Sequence, residues 1–525
     1  MVSQLDFPPL VEKMKGQRTT NGYDVLVSYS EDKINQLLEA RSRDLASILD
    51  IGPLTITGEW PFGDPFTLSL SMKLDHPRLQ FQDDHGNIIL TFGVKEGHFE
   101  DVDTKRTKDL PKDLELSFKT TLTNVTGTVE SGFAQPGVKI TPVNRTVTLN
   151  PAEKDVAQGV CITFEKASLD IVSTTGQKTT GLAMLKAGLQ EYFQDNAELK
   201  YYVAGVSNQY QSEAGSHVLR PHSFSFATYS GKTNDDTSVL CMQIKVAQDA
   251  DRKAASLGDN PWSLFNANGL CPIPRGSTCS IIIQGDLLIT KFILPSLPNG
   301  FDGIEDRTPP QTGGFILAGA MKASDVKIPA MHKDEELMGG LGRKIVDVEA
   351  MQFSPSQPKT KITFDGAINT KSNEVKYTSD KQRVNRFENL ISDGHGAPTR
   401  GKTNLEFSWT AKGSWKDKSN PDHPNLLGFD WVGDDSWKIE VPKEDHPWWE
   451  ALFGFGTELP EPYKKLQVPS PDVKLEMKTL DYFLTTNLLY PGKHVFKADD
   501  PSSKSTDRGL ALPHDLILTG QTLTS

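Results

Sequence analysis

The 525-residue sequence has few cysteines and no long apolar run. Its four cysteines include no C-x-x-C pair and are too few for a disulfide framework, so each is expected to be a small buried side chain. No stretch approaches the roughly 20 apolar residues of a transmembrane helix. The N-terminus also lacks the apolar core of a secretory signal peptide. We therefore expect a cytoplasmic protein, with export by another route left open.

Excess positive charge and catalytic motifs are absent as well. The formal net charge is −12, which argues against wholesale binding to nucleic acid. The histidines have no H-x-x-x-H or H-E-x-x-H spacing, so no metal or other cofactor is predicted, although a site built from distant residues stays open. No G-x-S-x-G motif occurs. The sequence therefore identifies no catalytic centre, and we expect a protein that is not an enzyme.

One nucleotide-binding pattern is present, because Gly396–Thr403 matches G-x-x-x-x-G-K-[ST]. A functional P-loop needs a buried strand before it and a helix after it, so that backbone N–H groups and the helix N-terminus face the phosphates. Here the preceding residues are polar, and Leu405, Phe407 and Trp409 alternate with polar residues as in a strand. The match is therefore interpreted as an accidental one in a surface turn that opens a strand.

Alternating apolar and polar residues dominate the chain, which is typical of half-buried antiparallel strands. The apolar positions of the clearest runs are Phe66, Leu68, Leu70, Met72 and Leu74; Leu114, Leu116, Phe118 and Leu122; Leu405, Phe407 and Trp409; and Trp437, Ile439 and Val441. Residues 83–87 are predicted to form a turn between two such runs. The turn-rich stretches 299–311 and 394–402 are predicted loops or boundaries.

Only three helices are clear. The first is predicted to begin with a capping box formed by Ser28 and Glu31. Its apolar stripe comprises Ile34, Leu37, Leu38, Leu45, Ile48 and Leu49. The second carries Leu182, Leu185, Leu189 and Phe193, and the third follows the strand Ile281–Ile283 and is expected to end at Pro295. The prediction is a β-dominated α+β fold in which curved antiparallel sheets wrap around a few amphipathic helices.

Tryptophan is concentrated near the C-terminal end, where six of the eight lie within residues 409–449. The segment His446–Gly456 brings together Trp448, Trp449, Phe453 and Phe455. Such residues suit the boundary between lipid headgroups and acyl chains, so these four are candidates for peripheral membrane contact. Packing in the core of a late β-rich module is the alternative and the more common role.

Three segments resemble the P47 and OrfX-type proteins of clostridia. Residues 19–40 are similar to their N-terminal segment, with an N-G-[YW]-D start, a short strand and a helix. Residues 218–246 resemble their central strand pair, and residues 280–297 resemble their strand-helix element with its K-F-I-L-P ending. The resemblance is clearest over residues 19–300.

The resemblance implies a TULIP fold, the tubular lipid-binding architecture, with an elongated apolar groove and no established catalytic residues. We predict a TULIP-like N-terminal module over residues 1–300 and a β-rich C-terminal module over residues 301–525. The candidate groove residues are Ile34, Leu37, Leu38, Leu45, Phe66, Leu68, Leu70, Met72, Leu185, Leu189 and Phe193. For any single one of them, ordinary core packing is the more common role.

Three functions stay open at this point. The favoured one is non-enzymatic binding or transport of a lipid or another hydrophobic small molecule, which requires an apolar cavity. The second is a scaffold or accessory subunit in a toxin-type protein complex, which requires an exposed apolar patch for its protein partner. The third is an enzyme whose apolar pocket holds a hydrophobic substrate, which requires polar groups that converge on that pocket.

Overall fold

A computed structural model shows a β-dominated protein with a strongly curled, half-barrel-like antiparallel sheet, as the sequence predicted. The structure describes residues 4–40, 49–59, 63–83, 85–127, 147–149, 157–173, 182–196, 200–209, 216–231, 237–246, 265, 270–306, 314–322, 326–336, 343–348, 350–353, 360–365, 373–378, 382–391, 398–433, 438–440, 474–490, 494–500 and 509–524.

The strands fall into three large sheets and one small one. Their bounds are β1 Val25–Ser30, β2 Asp50–Glu59, β3 Pro65–Leu74, β4 Arg78–Phe81, β5 Asn87–Asp101, β6 Thr107–Asp109, β7 Leu114–Gly127, β8 Val147–Thr148, β9 Ala157–Thr163, β10 Ser168–Ser173, β11 Lys200–Ser207, β12 Pro221–Tyr229, β13 Val239–Val246, β14 Cys279–Ile283, β15 Phe301–Asp306, β16 Gly314–Met321, β17 Val326–Ile328, β18 Met331–Glu336, β19 Arg343–Val348, β20 Met351–Phe353, β21 Thr360–Asp365, β22 Asn373–Thr378, β23 Gln382–Ile391, β24 Pro398–Asp417, β25 Leu427–Gly433, β26 Lys438–Glu440, β27 Lys474–Glu476, β28 Leu488–Leu489, β29 His494–Ala498, β30 Leu510–Ala511 and β31 Leu516–Thr524.

The helical segments of the described residues are short. They are α1 Phe7–Met14, α2 Glu31–Ala40, α3 Leu182–Asp195, α4 Gly285–Leu288, α5 Leu294–Ser296 and α6 Lys478–Tyr482. A π turn, Ile289–Ile293, joins α4 to α5, and a second π turn, Phe483–Asn487, follows α6. Single 3₁₀ turns span Ser216–Leu219 and Leu297–Asn299.

The eight-stranded sheet is covered on both faces. Its order is β29-β31-β14-β1-β13-β12-β8, with β30 beside β31. Every residue of β1 is buried, which fits its apolar sequence. Val25, Val27 and Tyr29 face the main apolar cluster, whereas Leu26 packs in a second cluster with residues of α1. The helix α1, which was not predicted, thus closes the outer face of this sheet.

The ten-stranded sheet has the order β2-β3-β5-β7-β9-β11-β28, with β4 and β6 beside β5 and β10 beside β7. The predicted alternation is confirmed in β3, whose even-numbered residues from Phe66 to Leu74 are buried. The helix α3 lies on the inner face of this sheet, because its residue Phe193 contacts Phe92 of β5 and Phe118 of β7. Phe92 in turn contacts Tyr201 of β11 in the same ring cluster.

The third sheet has eleven strands, in the order β15-β16-β21-β22-β24-β23-β19-β18, with β25, β26 and β27 attached at β24 and β25. The strands β17 and β20 form a separate pair. The P-loop match falls in this region, and Lys402 and Thr403 lie within β24, paired with Asn385 and Val384 of β23. A strand is therefore present where a nucleotide site needs a helix, so Pro398–Thr403 form neither a P-loop nor the predicted surface turn.

The chain returns to the first two sheets near its C-terminal end. The strand β31 pairs with β14, and β28 pairs with β11. Strands formed after residue 487 therefore belong to the same sheets as strands formed before residue 284. The predicted division into modules at residue 300 stays a prediction.

Four local predictions differ from the structure. Ser28 lies inside β1, so the capping box is wrong; Ser30 instead accepts a hydrogen bond from the backbone N–H of Lys33 at 3.2 Å. Pro295 does not end the third helix, because it lies in the first turn of α5, where its missing N–H is harmless. Residues 301–306 form β15 rather than a loop, and residues 398–402 belong to β24.

The contact between α2 and β4 contains a half-buried carboxyl group, that of Glu31. Asn35 bonds both backbone groups of Leu79, and the N–H of Phe81 donates to Glu31 Oε2 at 2.6 Å. These side chains form the backbone hydrogen bonds of β4 that a neighbouring strand would otherwise form. Burial raises the pKa of Glu31 from 4.5 to about 7, despite the hydrogen bond from Phe81 that opposes the shift.

We expect Glu31 to make the stability of the protein fall as the pH rises towards 7. The folded state holds the Glu31 proton more tightly than the unfolded state, so this stabilisation is complete below about pH 4.5 and lost through pH 7. The slope from this group is at most about 1.4 kcal/mol per pH unit. Glu31→Gln keeps an acceptor for Phe81 and should flatten the profile in urea unfolding from pH 5 to 8, whereas Glu39→Gln, which removes an exposed carboxylate of the same helix, should not. An unchanged slope in the Gln variant would contradict this account.

Candidate functional site

The candidate groove residues that the structure describes lie together in the interior. Ile34, Leu37, Leu38, Phe66, Leu68, Leu70, Met72, Leu185, Leu189 and Phe193 all belong to one buried apolar cluster. Leu45 lies outside the described residues, as do the membrane-contact candidates Trp448, Trp449, Phe453 and Phe455. The shared location agrees with a common interior surface, and the ligand role of these residues stays a prediction.

Side chains fill the interior around one end of α3. The ring of Phe193 lies 4.6 Å from the ring of Phe118 and 5.0 Å from the ring of Phe164, measured between centroids. Phe92 and Tyr201 complete the same cluster. Such ring pairs stabilise a core beyond their buried area. This end of the interior is therefore packed core.

An open cleft lies between α3 and β2, and we name it the α3–β2 cleft. Its volume is about 690 Å³, within the usual range for small-molecule sites. It is lined by Leu54, Thr55, Ile56, Thr57, Gly58, Glu59, Phe66, Ala187, Gly188, Glu191, Tyr192, Asp195 and Asn196.

Two glycines shape this cleft. A Cβ atom at Gly188 of α3 would lie 2.7 Å from Ile56 Cγ1, so the helix can approach β2 only because this residue is glycine. A Cβ atom at Gly58 would lie 2.6 Å from the Phe66 ring, which crosses this position from the paired strand β3. The Phe66 ring therefore packs against Gly58 of the paired strand and contributes to the lining of the cleft.

The cleft has an apolar floor and a polar rim. Ile56 and Phe66 belong to the main apolar cluster, and Leu54 packs against it. The rim consists of exposed residues, among them Thr55, Thr57 and Glu191. Its position is also distinctive, because β2 ends the strand order of the ten-stranded sheet and its outer edge has no strand partner among the described residues. The helix α3 contacts this edge strand where Gly188 approaches Ile56.

A second cleft, of about 630 Å³, lies over β2, β3, β5 and β6. Its lining includes Met72 of the candidate groove residues and also Ser71, His98 and Asp109. These three side chains occupy paired positions on adjacent strands, Ser71 opposite His98 and His98 opposite Asp109. No hydrogen bond joins these three described residues to one another, so the nucleophile–base contact of a catalytic triad is not formed. The three residues form a row of polar side chains across the surface of the sheet.

Burial holds several cysteine and tyrosine side chains in their neutral forms. Burial raises the pKa of Cys279 to about 12 and raises the pKa values of Cys241 and Tyr201 further. All four cysteines are buried, as the sequence predicted, and none forms a disulfide within the described part of the chain. Thiols with such pKa values are poor nucleophiles at neutral pH. Within the described residues, no group of three or more metal-ligating side chains comes together.

Most of the cleft was not recognised in the sequence. Phe66 is its only lining residue that was a predicted groove residue, and Met72 lines the second cleft instead. The alternation of Leu54 and Ile56 with threonines was a signal that could have identified β2. The close approach of Gly188 to Ile56 had no local signal, because it joins residues 132 positions apart.

Among the described helices, none is long and apolar enough to cross a membrane.

The comparisons with known proteins give structural similarity alone. No family model and no curated protein matches this chain. Among solved structures, it is similar to P47 from Clostridium botulinum A2, with 10% identity, a TM-score of 0.44 and coverage of 96% of this chain and 98% of that one. It is similar to P47 of Clostridium botulinum E1, with 11% identity, a TM-score of 0.44 and coverage of 96% and 100%.

A lipopolysaccharide binding protein is a more distant neighbour, with 10% identity, a TM-score of 0.23 and coverage of 96% of this chain and 99% of that one. The resemblance to P47-type proteins that three sequence segments indicated is confirmed at this level of similarity. Values this low say nothing about what this chain binds, so its function is argued from its own residues.

Proposed function

We propose that this protein is a non-enzymatic binder or carrier of a hydrophobic small molecule, which enters at the α3–β2 cleft. The observation that carries the proposal is the continuity of the cleft floor with the apolar interior, through Ile56 and Phe66. An apolar chain that lies on this floor removes its own surface and that of the floor from water. Each buried CH₂ group contributes about 0.8 kcal/mol.

The edge position of β2 supports entry at this place. The helix α3 rests on β2 through side-chain packing of Ile56 against Gly188, and the cleft interrupts no strand pairing. A small outward movement of α3 would extend the cleft towards Leu185 and Leu189, which lie on the inner side of the helix. The candidate groove residues would then form the deeper part of the same site.

The alternative scaffold function finds less support in the described residues. A docking surface for a protein partner in a toxin-type complex needs a contiguous exposed apolar patch. The large apolar side chains that are exposed in the described part of the chain are Val172 of β10 and Leu523 of β31, which lie in different sheets. Isolated side chains of this kind are ordinary surface features.

Ala187→Trp should weaken ligand binding strongly, because Ala187 is an exposed lining residue and an indole there would fill the cleft. We expect the affinity for an uncharged fluorescent probe, N-phenyl-1-naphthylamine, to fall at least about ten-fold, the change that 1.4 kcal/mol produces. The matched control is Gln190→Trp on the same helix, which does not line the cleft and should bind as the wild type. Equal affinity of the two variants would refute the cleft as the site.

A further inference from the structure

The α3–β2 cleft has an unusual electrostatic character. Its ionisable lining residues are Glu59, Glu191 and Asp195 together with Tyr192, and the lining contains no lysine, arginine or histidine. Glu59 lies on β2, and the other two carboxylates lie on α3, so negative charge faces the cleft from both sides. None of these three carboxylates has an ion-pair partner within the described part of the chain.

The helix α3 adds to this negative potential. Its C-terminal half lines the cleft, and the unpaired carbonyl groups of a helix C-terminus carry partial negative charge. Helices usually place lysine or arginine there, but the last turn of α3 contains no basic residue and ends at Asp195. The acidic residues therefore add negative charge at the end of the helix where positive charge is favoured. A bound cation would reduce the repulsion between these carboxylates and the helix C-terminus.

The cleft also offers a cation an aromatic surface. Tyr192 is a half-buried lining residue next to Glu191, and its ring packs edge-on against Phe193 at 5.4 Å between centroids. Ammonium groups bind to the faces of aromatic rings, most strongly where water is partly excluded. Together with the floor formed by Leu54, Ile56 and Phe66, these groups match a molecule that has an ammonium group at one end and an apolar chain at the other.

We propose that the α3–β2 cleft selects a cationic amphiphile, an ammonium group attached to an apolar chain, over its neutral and anionic counterparts. This inference rests on the proposed function and narrows its ligand class. The chain lies on the apolar floor, and the ammonium group lies at the rim among Glu59, Glu191 and Asp195. An anionic amphiphile gains the same apolar contact but is repelled by every charge at the rim.

The test uses three probes with the same chain: decyltrimethylammonium, 1-decanol and decanoate, each below its micelle-forming concentration. Their affinities are measured on the full-length protein by displacement of N-phenyl-1-naphthylamine, at low and at high salt. We expect the cation to bind at least about ten-fold more tightly than the anion, with the alcohol between them. The preference should shrink at high salt, because exposed charges are screened.

The variant Glu59→Gln/Glu191→Gln/Asp195→Asn separates charge from fold. It should bind 1-decanol as the wild type does and lose the preference for the cation, and its melting temperature should be equal or higher. Glu39→Gln, which removes an exposed carboxylate of α2 outside the cleft, should keep the preference. Binding of 1-decanol without a preference for the cation, or a preference that survives in the triple variant, overturns this inference alone. Failure of all three probes to bind overturns the proposed function as well.

Discussion

Asp515→Ala should destabilise the protein by about 3 kcal/mol, because it removes a buried acceptor that joins three distant parts of the chain. Asp515 Oδ2 accepts hydrogen bonds from the Thr19 backbone N–H at 2.5 Å and from its hydroxyl at 2.8 Å. Asp515 Oδ1 accepts from the N–H of Gly285 at 2.9 Å, at the first turn of α4. Alanine would leave these buried donors without a partner.

Burial raises the pKa of Asp515, so the carboxylate is held by its hydrogen bonds against a cost of desolvation. Asp515→Asn should be intermediate, since an amide offers one oxygen where two are used. The control is Asp286→Ala, at the residue that follows Gly285. Asp286 forms a largely exposed ion pair with Arg18, at 3.1 Å, and this pair should contribute about 0–1 kcal/mol to stability. Urea unfolding measures all three variants. A cost for Asp515→Ala no larger than that of the control would contradict the role given to Asp515.

Gly205→Ala is expected to cost about 2–3 kcal/mol, because the added methyl group has no room. Gly205 of β11 pairs with Gly159 of β9, and the Tyr202 ring covers both. A Cβ atom at Gly205 would lie 1.8 Å from the Tyr202 hydroxyl oxygen and 2.8 Å from the Gln158 carbonyl oxygen. At Gly159 it would lie 2.0 Å from Tyr202 Cε2, so the same ring occupies the space over both glycines.

Gly93→Ala is the matched control in the same sheet. The nearest atom to its new Cβ would be Asp75 Cβ at 3.7 Å, an ordinary contact, and the lower chain entropy of alanine should make this change neutral or slightly stabilising. Combining Gly205→Ala with Tyr202→Ala should reduce the cost of the glycine substitution, as a double-mutant cycle in urea unfolding would show. If Gly205→Ala and Gly93→Ala unfold at the same urea concentration, the ring does not restrict this position.

The sequence predicted those helices and strands whose apolar pattern lies within a short stretch of the chain. The alternation in β3 and β7 and the apolar stripe of α3 are confirmed, because each face of these elements packs against a single environment. The helix α1 was missed, since it is only eight residues long and begins with two prolines that suggest a turn. Ser28 was predicted to cap α2, but the preceding strand extends to Ser30. Ser30 therefore lies at the start of the helix and accepts the hydrogen bond from Lys33.

The parts of the site that the sequence did not predict depend on contacts between residues far apart in the chain. The pairing of β31 with β14 and the packing of Gly188 on Ile56 have no signal within a short window of sequence. The same holds for the edge position of β2, which follows from the whole strand order and not from its own residues. Phe66 was predicted as a groove residue from its alternation, and its place beneath the cleft depends on Gly58 in the paired strand.

Native mass spectrometry tests the central claim most directly. The wild type, Ala187→Trp and Gln190→Trp would be purified in parallel, and any molecule that accompanies them would be extracted into organic solvent. The account predicts a discrete apolar adduct on the wild type and on Gln190→Trp, and its loss from Ala187→Trp. A bare chain mass for all three, unchanged after incubation with mixed lipids and amphiphiles, would contradict the claim that this protein binds a hydrophobic small molecule at the α3–β2 cleft.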